Sequence, residues 1–110
     1  MDFVDEVYEV TRSFPTEEIY GLTSQLRRSG VSIPSNVAEG HGRKSTKEFL
    51  RHLSIAYGSL IEAETQLIIA GAKVFSLNPQ LHHISKKTSE IGKRLNGLSA
   101  SLKRSLTPDP

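Results

Sequence analysis

Apolar side chains along this chain recur every three or four positions, the spacing that gathers them on one face of an α-helix. Nowhere do they alternate with the period of two that a half-buried strand requires. Four such segments stand between helix breakers. The first, from about Asp2 to Ser13, sets Phe3, Val4, Val7, Tyr8 and Thr11 against acids on the other side. Pro15 ends it, because proline lacks an amide hydrogen and restricts its predecessor. Thr16 then suits an N-cap, with Glu17 and Glu18 in the first turn, where the helix dipole favours negative charge. The second segment steps through Ile19, Leu22, Leu26, Ser29, Ile33, Val37 and Gly40. Pro34 falls inside that run, yet the apolar phase survives it, so the pattern predicts one helix kinked near Pro34, or two collinear pieces, rather than a domain break. Gly40-His41-Gly42 reads as its end, since glycine accepts the left-handed conformation past a C-terminus.

Ser45 with Glu48 three residues on is a capping box, and it opens the third segment. Phe49, Leu53, Ala56, Leu60, Ala63, Leu67 and Ala70 follow in alternating steps of four and three. A flanking stripe of Leu50, Tyr57, Ile61 and Ile68 makes this face wider than a two-helix seam needs, so two neighbours in the bundle or another subunit must cover it. Asn78-Pro79 supplies a cap and a first helical residue for the fourth segment. There Leu81, Ile84, Thr88, Ile91, Leu95, Leu98 and Leu102 share a face, with polar Thr88 as the interruption. Short connections between long helices imply antiparallel neighbours. The expected fold is therefore all-α, an up-down antiparallel four-helix bundle forming one domain over residues 1–106, with 107–110 a frayed tail.

The absence of cysteine excludes disulfides and thiolate-held metals and suits a reducing cytoplasm. Neither a secretory leader nor an apolar run long enough for a membrane span is visible. The net charge of +2 is unevenly spread. Residues 1–26 are strongly acidic, 27–72 mildly basic and 73–110 strongly basic. Such polarity can draw a nucleic acid to the basic end, or dock one subunit's acidic end on another's basic end. The plainer reading is solvated helix faces of opposite sign.

Catalytic chemistry finds no foothold. A carboxylate-bridged di-metal bundle needs Glu-x-x-His pairs, and the chain has none; Glu48 and His52 share a face but cannot alone complete a coordination sphere. His82 and His83 point in different directions on a helix. No nucleophile elbow occurs, and Glu62 and Glu64, two apart on a helix, splay by roughly 200°. Glu64 falls on the flanking apolar stripe and would need a partner such as Arg27 or Arg28, which suits a structural ion pair better than a catalytic base. Gly40-His-Gly-Arg-Lys-Ser-Thr46 could hold an anion at a helix start. It is no nucleotide loop, because Arg43 interrupts the motif and a helix precedes it. The expectation is no enzyme, no cofactor, no metal and no small-molecule substrate.

Arg27, Arg28, Arg43, Lys44, Lys47 and Arg51 cluster around the turn between segments two and three. Lys86-Lys87 and Lys93-Arg94 repeat at seven residues, while Lys103-Arg104 drifts from their side. Without an aromatic-rich stacking platform, any nucleic acid would be held through backbone phosphates rather than bases.

Ile19-Tyr-Gly-Leu-Thr-Ser-Gln-Leu-Arg-Arg28, Val31-Ser-Ile-Pro-Ser-Asn-Val-Ala-Glu-Gly40, Arg43 and Ala56-Tyr-Gly-Ser-Leu-Ile-Glu-Ala-Glu-Thr-Gln-Leu67 resemble the bacterial four-helix bundle family. Its members are also called 23S ribosomal RNA intervening-sequence proteins, because some are encoded within inserts of ribosomal RNA genes. The resemblance covers about residues 3 to 75. It implies a ring-shaped homopentamer and kinship with the accessory protein of diversity-generating retroelements, a basic pentamer that binds nucleic acid and a reverse transcriptase. Beside the arginines, it makes Pro34, Asn36, Glu39, Gly40, Glu62 and Glu64 the motif residues and brings no catalytic role with them. The resulting expectation is a non-enzymatic homo-oligomeric scaffold that binds RNA or DNA through phosphates. The alternative is a protein–protein adaptor that ignores nucleic acid.

Overall fold

The computed structural model describes residues 2–72 and 79–106. Four helices form an up-down antiparallel bundle: α1 (Asp2–Thr11), α2 (Ser24–His41), α3 (Thr46–Ala72) and α4 (Pro79–Leu106). A 3₁₀ turn (Thr16–Glu18) and a π-helical turn (Ile19–Thr23) lead into α2. Consecutive helices pack side by side and α1 closes on α4. Cross-helix contacts fix the register. Val7 lies against Gly30, Thr11 bonds Arg27, Ser29 bonds Gln66, Asn36 meets His52, and Glu64 accepts from Thr88. With Gly92 of α4 against Leu60 of α3, one partner's number rises as the other's falls along each helix pair, the mark of antiparallel neighbours.

Every expected core position of α3 from Leu53 to Ala70 is buried, with Ala56, Ala63 and Ala70 fully so. These alanines let α3 approach its neighbours closely while Leu53, Leu60 and Leu67 fill the interior. Leu22, Leu26 and Ile33 from the second segment, Phe3, Val7 and Val10 from α1, and Ile84 and Leu95 from α4 complete one continuous core. The cap at Asn78, the side chains of Ile19, Leu81 and His82, and the tail 107–110 lie outside the described residues.

Since α1 has ten residues and α3 twenty-seven, the first helix covers part of the bundle only, roughly 15 Å against 40 Å. Its contacts on α4 fall between His83 and Arg94. Beyond that level the bundle has three helices, and Leu98 and Leu106 are exposed there.

Two local expectations change. The second segment does not start as one regular helix at Thr16. Its backbone departs from helical geometry at Gly21 (φ −109°, ψ −109°), and the Glu18 carboxylate, rather than Thr16, caps the turn by accepting from the Leu22 amide at 3.4 Å. As expected, one helix runs through Pro34, which lies inside α2. At the other end, no glycine is left-handed: Gly42 has φ −76°, and Lys44 takes the positive φ, at 44°. Left-handed backbone costs a residue with a Cβ about 1–2 kcal/mol, partly offset on substitution by the greater freedom of glycine in the unfolded chain. Lys44→Gly should therefore raise stability by about 0.5–1 kcal/mol, measured as a higher urea midpoint at unchanged m-value.

Candidate nucleic-acid interface

The cations around the second turn fall into three groups, on α2, in the loop before α3 and on the first turns of α3, and the first stands apart in space from the other two. Arg27 is held against α1, its Nε donating to Thr11 Oγ1 at 2.8 Å and its guanidinium lying 4.6 Å from the centre of the Tyr8 ring. Arg28 beside it is exposed and unpaired among the described residues. Arg43 and Lys44 occupy the loop before α3. Arg43 is bound to Glu39 at 2.8 Å, an exposed pair one helical turn apart. That hydrogen bond holds the Glu39 carboxyl below its usual range and raises Arg43. Lys47 and Arg51 stand on the first turns of α3, where Arg51 pairs with Glu48 at 3.1 Å. From Arg27 to Gly40 is thirteen residues of α2, roughly 20 Å, so the first group cannot share a ligand contact with the third.

The third group gains a member the sequence did not place with it. Lys103 from α4 joins Lys47, Arg51, Ser54, Tyr57, Asn96 and Ser99 in lining a groove of about 460 Å³ between α3 and α4. No carboxylate lines it. Lys103 was missed because only the antiparallel register brings the end of α4 to the start of α3. The groove can do one thing chemically: present ammonium, guanidinium, hydroxyl and amide donors together to an anion. At the opposite end, Arg27 and Arg28 line a second groove of about 560 Å³ with Tyr8, Tyr20, Thr23, Ser24 and Val31. Thr23 is buried, and its hydroxyl has no hydrogen-bond partner, a deficit of about 1–3 kcal/mol.

The other motif residues build the α2–α3 contact. Ser29 donates to Gln66 Oε1 at 2.8 Å, and Gln66 donates to Glu62 at 3.2 Å. Ser59 donates to Ser32 Oγ at 2.8 Å, and Asn36 Nδ2 donates to the Ser32 carbonyl at 2.9 Å. A guanidinium only donates, so His52 Nε2 accepts from Arg51 at 3.3 Å. His52 Nδ1 therefore carries the hydrogen and donates to Asn36 Oδ1 at 3.1 Å. Gly40 is buried against His52. Glu64 does not pair with Arg27 or Arg28. The register turns it toward α4, where it accepts from Thr88 at 3.0 Å, and the polar interruption of the fourth segment thereby acquires its purpose. The acidic first segment likewise meets basic α4 within one chain, since Glu6 faces Lys87 at 3.0 Å and His83 at 3.1 Å.

Part of the wide α3 face stays uncovered. Tyr57, Ile61 and Ile68 of the flanking stripe are exposed, Ile68 to 65 %, and Ile55 and Ile69 are exposed on other sides of α3. Among the described residues no three metal-ligating side chains converge, and no helix is long and apolar enough to cross a membrane.

Comparison with known proteins agrees with this architecture. A crystal structure of a protein of unknown function from the S23 ribosomal protein family of Bacteroides thetaiotaomicron VPI-5482 superposes with a TM-score of 0.81. It is 24 % identical, and the match covers 89 % of this chain and 92 % of that one; the likeness shows the fold. No curated protein matches. The description "23S rRNA-intervening sequence protein" matches residues 1–97, the whole of α1 to α3 and most of α4. Over that span lie both grooves' arginines and the contacts of Asn36 and Gly40 with His52, and the chain belongs to the 23S rRNA-intervening sequence protein family.

Proposed function

We propose that this chain is a non-enzymatic, self-assembling helical scaffold that binds RNA or DNA through backbone phosphates. The observation that carries the reading is the continuity, along α3, of an uncovered apolar stripe with a cationic groove. Tyr57 belongs to both, and half-buried Leu50 of the same stripe also lines the groove. Exposed isoleucines at helical spacing favour association, because burying them removes apolar surface from water. A second copy seated on the stripe would set another Lys47–Arg51–Lys103 groove close by and lengthen the row of cations. Five copies is the subunit number the family resemblance implies, and the family's description makes ribosomal RNA the first ligand to try. The adaptor reading loses force because Glu6 already satisfies Lys87 and His83 within the chain.

Sedimentation velocity tests the assembly, and fluorescence anisotropy with structured RNA, titrated against salt, tests the binding. Ile61→Glu with Ile68→Glu should convert the oligomer to monomer while leaving helicity intact. Lys47→Gln with Lys103→Gln should lower the slope of log affinity against log salt by about 2, one for each lost phosphate contact. Binding undetectable at low salt removes the nucleic-acid half, and a wild-type monomer removes the scaffold.

A further inference from the structure

The groove between α1 and the π-helical turn carries different chemistry from the cationic groove of α3 and α4. Tyr20 projects from it with 96 % of its surface exposed, which no folding force explains for so large a ring. The local backbone accounts for its direction: a π-helical turn holds more residues than an α-helical one and so re-aims its side chains, a device frequent at functional sites. Tyr8 forms the opposite wall, already stacked with the Arg27 guanidinium. Arg28 adds an uncompensated positive charge, Val31 an apolar patch, and Thr23 a buried hydroxyl lacking a partner. Two phenol rings, two guanidiniums and no carboxylate line the same space.

We infer that this groove takes an unpaired nucleobase together with its phosphate. A ligand suited to it needs a flat π-face for Tyr20 and the Tyr8–Arg27 stack, and negative charge for Arg28. A nucleotide has both, and bases stack on tyrosine rings and guanidinium planes irrespective of sequence. A base in a duplex hides its faces, so the ligand is either a residue in a single strand or loop, or a free nucleotide. For a strand, the inference rests on the nucleic-acid reading above; for a free nucleotide, it stands apart from it. It changes the expectation of backbone contacts alone, because α1 and the π turn bring together two tyrosines that are well apart in sequence.

The probes are a single-stranded RNA carrying 2-aminopurine at its centre, the same strand annealed to its complement, and 2-aminopurine riboside 5′-monophosphate. Stacking quenches the fluorophore. The wild-type protein should quench the single strand and leave the duplex unchanged. Tyr20→Ala, which removes no packing, should weaken binding of the single strand about 5- to 150-fold. Arg28→Gln should lower its salt slope by about 0.7. Lys47→Gln with Lys103→Gln should weaken the strand yet keep the quench of each bound molecule. Quenching of the monophosphate, lost in Tyr20→Ala, supports a free-nucleotide site even if no strand binds. A strand that binds without quenching and ignores Tyr20→Ala overturns the inference and leaves the scaffold standing. Equal quenching of duplex and single strand overturns it too. So does a Tyr20→Ala variant that alters only sedimentation, which would make the groove a contact between proteins. If neither strand nor monophosphate binds, this inference falls, and failure of the duplex to bind as well removes the nucleic-acid half of the proposed function.

Discussion

Gly40→Ala is expected to lower stability by about 3 kcal/mol, a fall in Tm of roughly 10–20 °C for a domain of this size. A methyl group at Gly40 would sit 2.6 Å from His52 Cβ, 3.1 Å from Phe49 Cδ1 and 3.2 Å from His52 Cγ. His52 Cβ is fixed to the α3 backbone, so no side-chain rotation relieves the contact. Ordinary carbon–carbon separation is about 3.5–4.0 Å, and the helices must part by about 1 Å to restore it. Parting them stretches the Asn36–His52 and Ser32–Ser59 hydrogen bonds, which places the cost at the upper end of overpacking. Gly58→Ala is the internal comparison. It too replaces a glycine within a helix, but nothing lies within 4 Å of its new Cβ, so helix propensity alone should make it more stable by about 1 kcal/mol. Urea denaturation of both variants decides the matter. Equal behaviour of the two would mean that close approach of α2 and α3 does not depend on Gly40.

Gly40 also illustrates where sequence reading succeeds and fails. Its presence near a helix end was legible, and a C-terminal cap was the local interpretation. The structure needs its missing Cβ instead, a requirement set by His52 on another helix. The same division runs through the chain. Leu53, Ala56, Leu60, Ala63, Leu67 and Ala70 were legible because helical periodicity is a one-dimensional property, and all are buried. Thr88 broke the pattern in one dimension and was resolved only by the register that sets it beside Glu64. The cationic cluster divides in space for a related reason. Arg27, Arg43 and Arg51 are close in sequence, but each residue turns a helix by about 100° and lengthens it by about 1.5 Å, so α2 carries Arg27 far from the α3 start. Lys103, remote in sequence, takes a place in the groove. Tyr8 and Tyr20 were each visible, but a groove between them required knowing that a π turn faces α1.

The same register makes Leu60→Ala the other large effect, with a partial rescue built beside it. Leu60 is 2 % exposed at the centre of the core, and truncating a buried leucine costs about 2–5 kcal/mol through lost transfer energy and an unfilled cavity. About 3 kcal/mol is expected here. Across the interface, a Cβ added at Gly92 would lie 3.4 Å from Leu60 Cδ2 and 3.8 Å from Tyr57 Cε2. In the wild-type protein Gly92→Ala gains helix propensity, about 1 kcal/mol, with its methyl group already at ordinary contact distance from Leu60. In the Leu60→Ala background the same methyl group meets vacated space and fills part of it. Gly92→Ala should therefore stabilise the truncated protein more than the wild type, by a coupling of about 0.5–1 kcal/mol. A double-mutant cycle in urea measures the difference. Strict additivity would show that α4 does not hold Gly92 over Leu60, and the α3–α4 groove that depends on the same register would lose its lining.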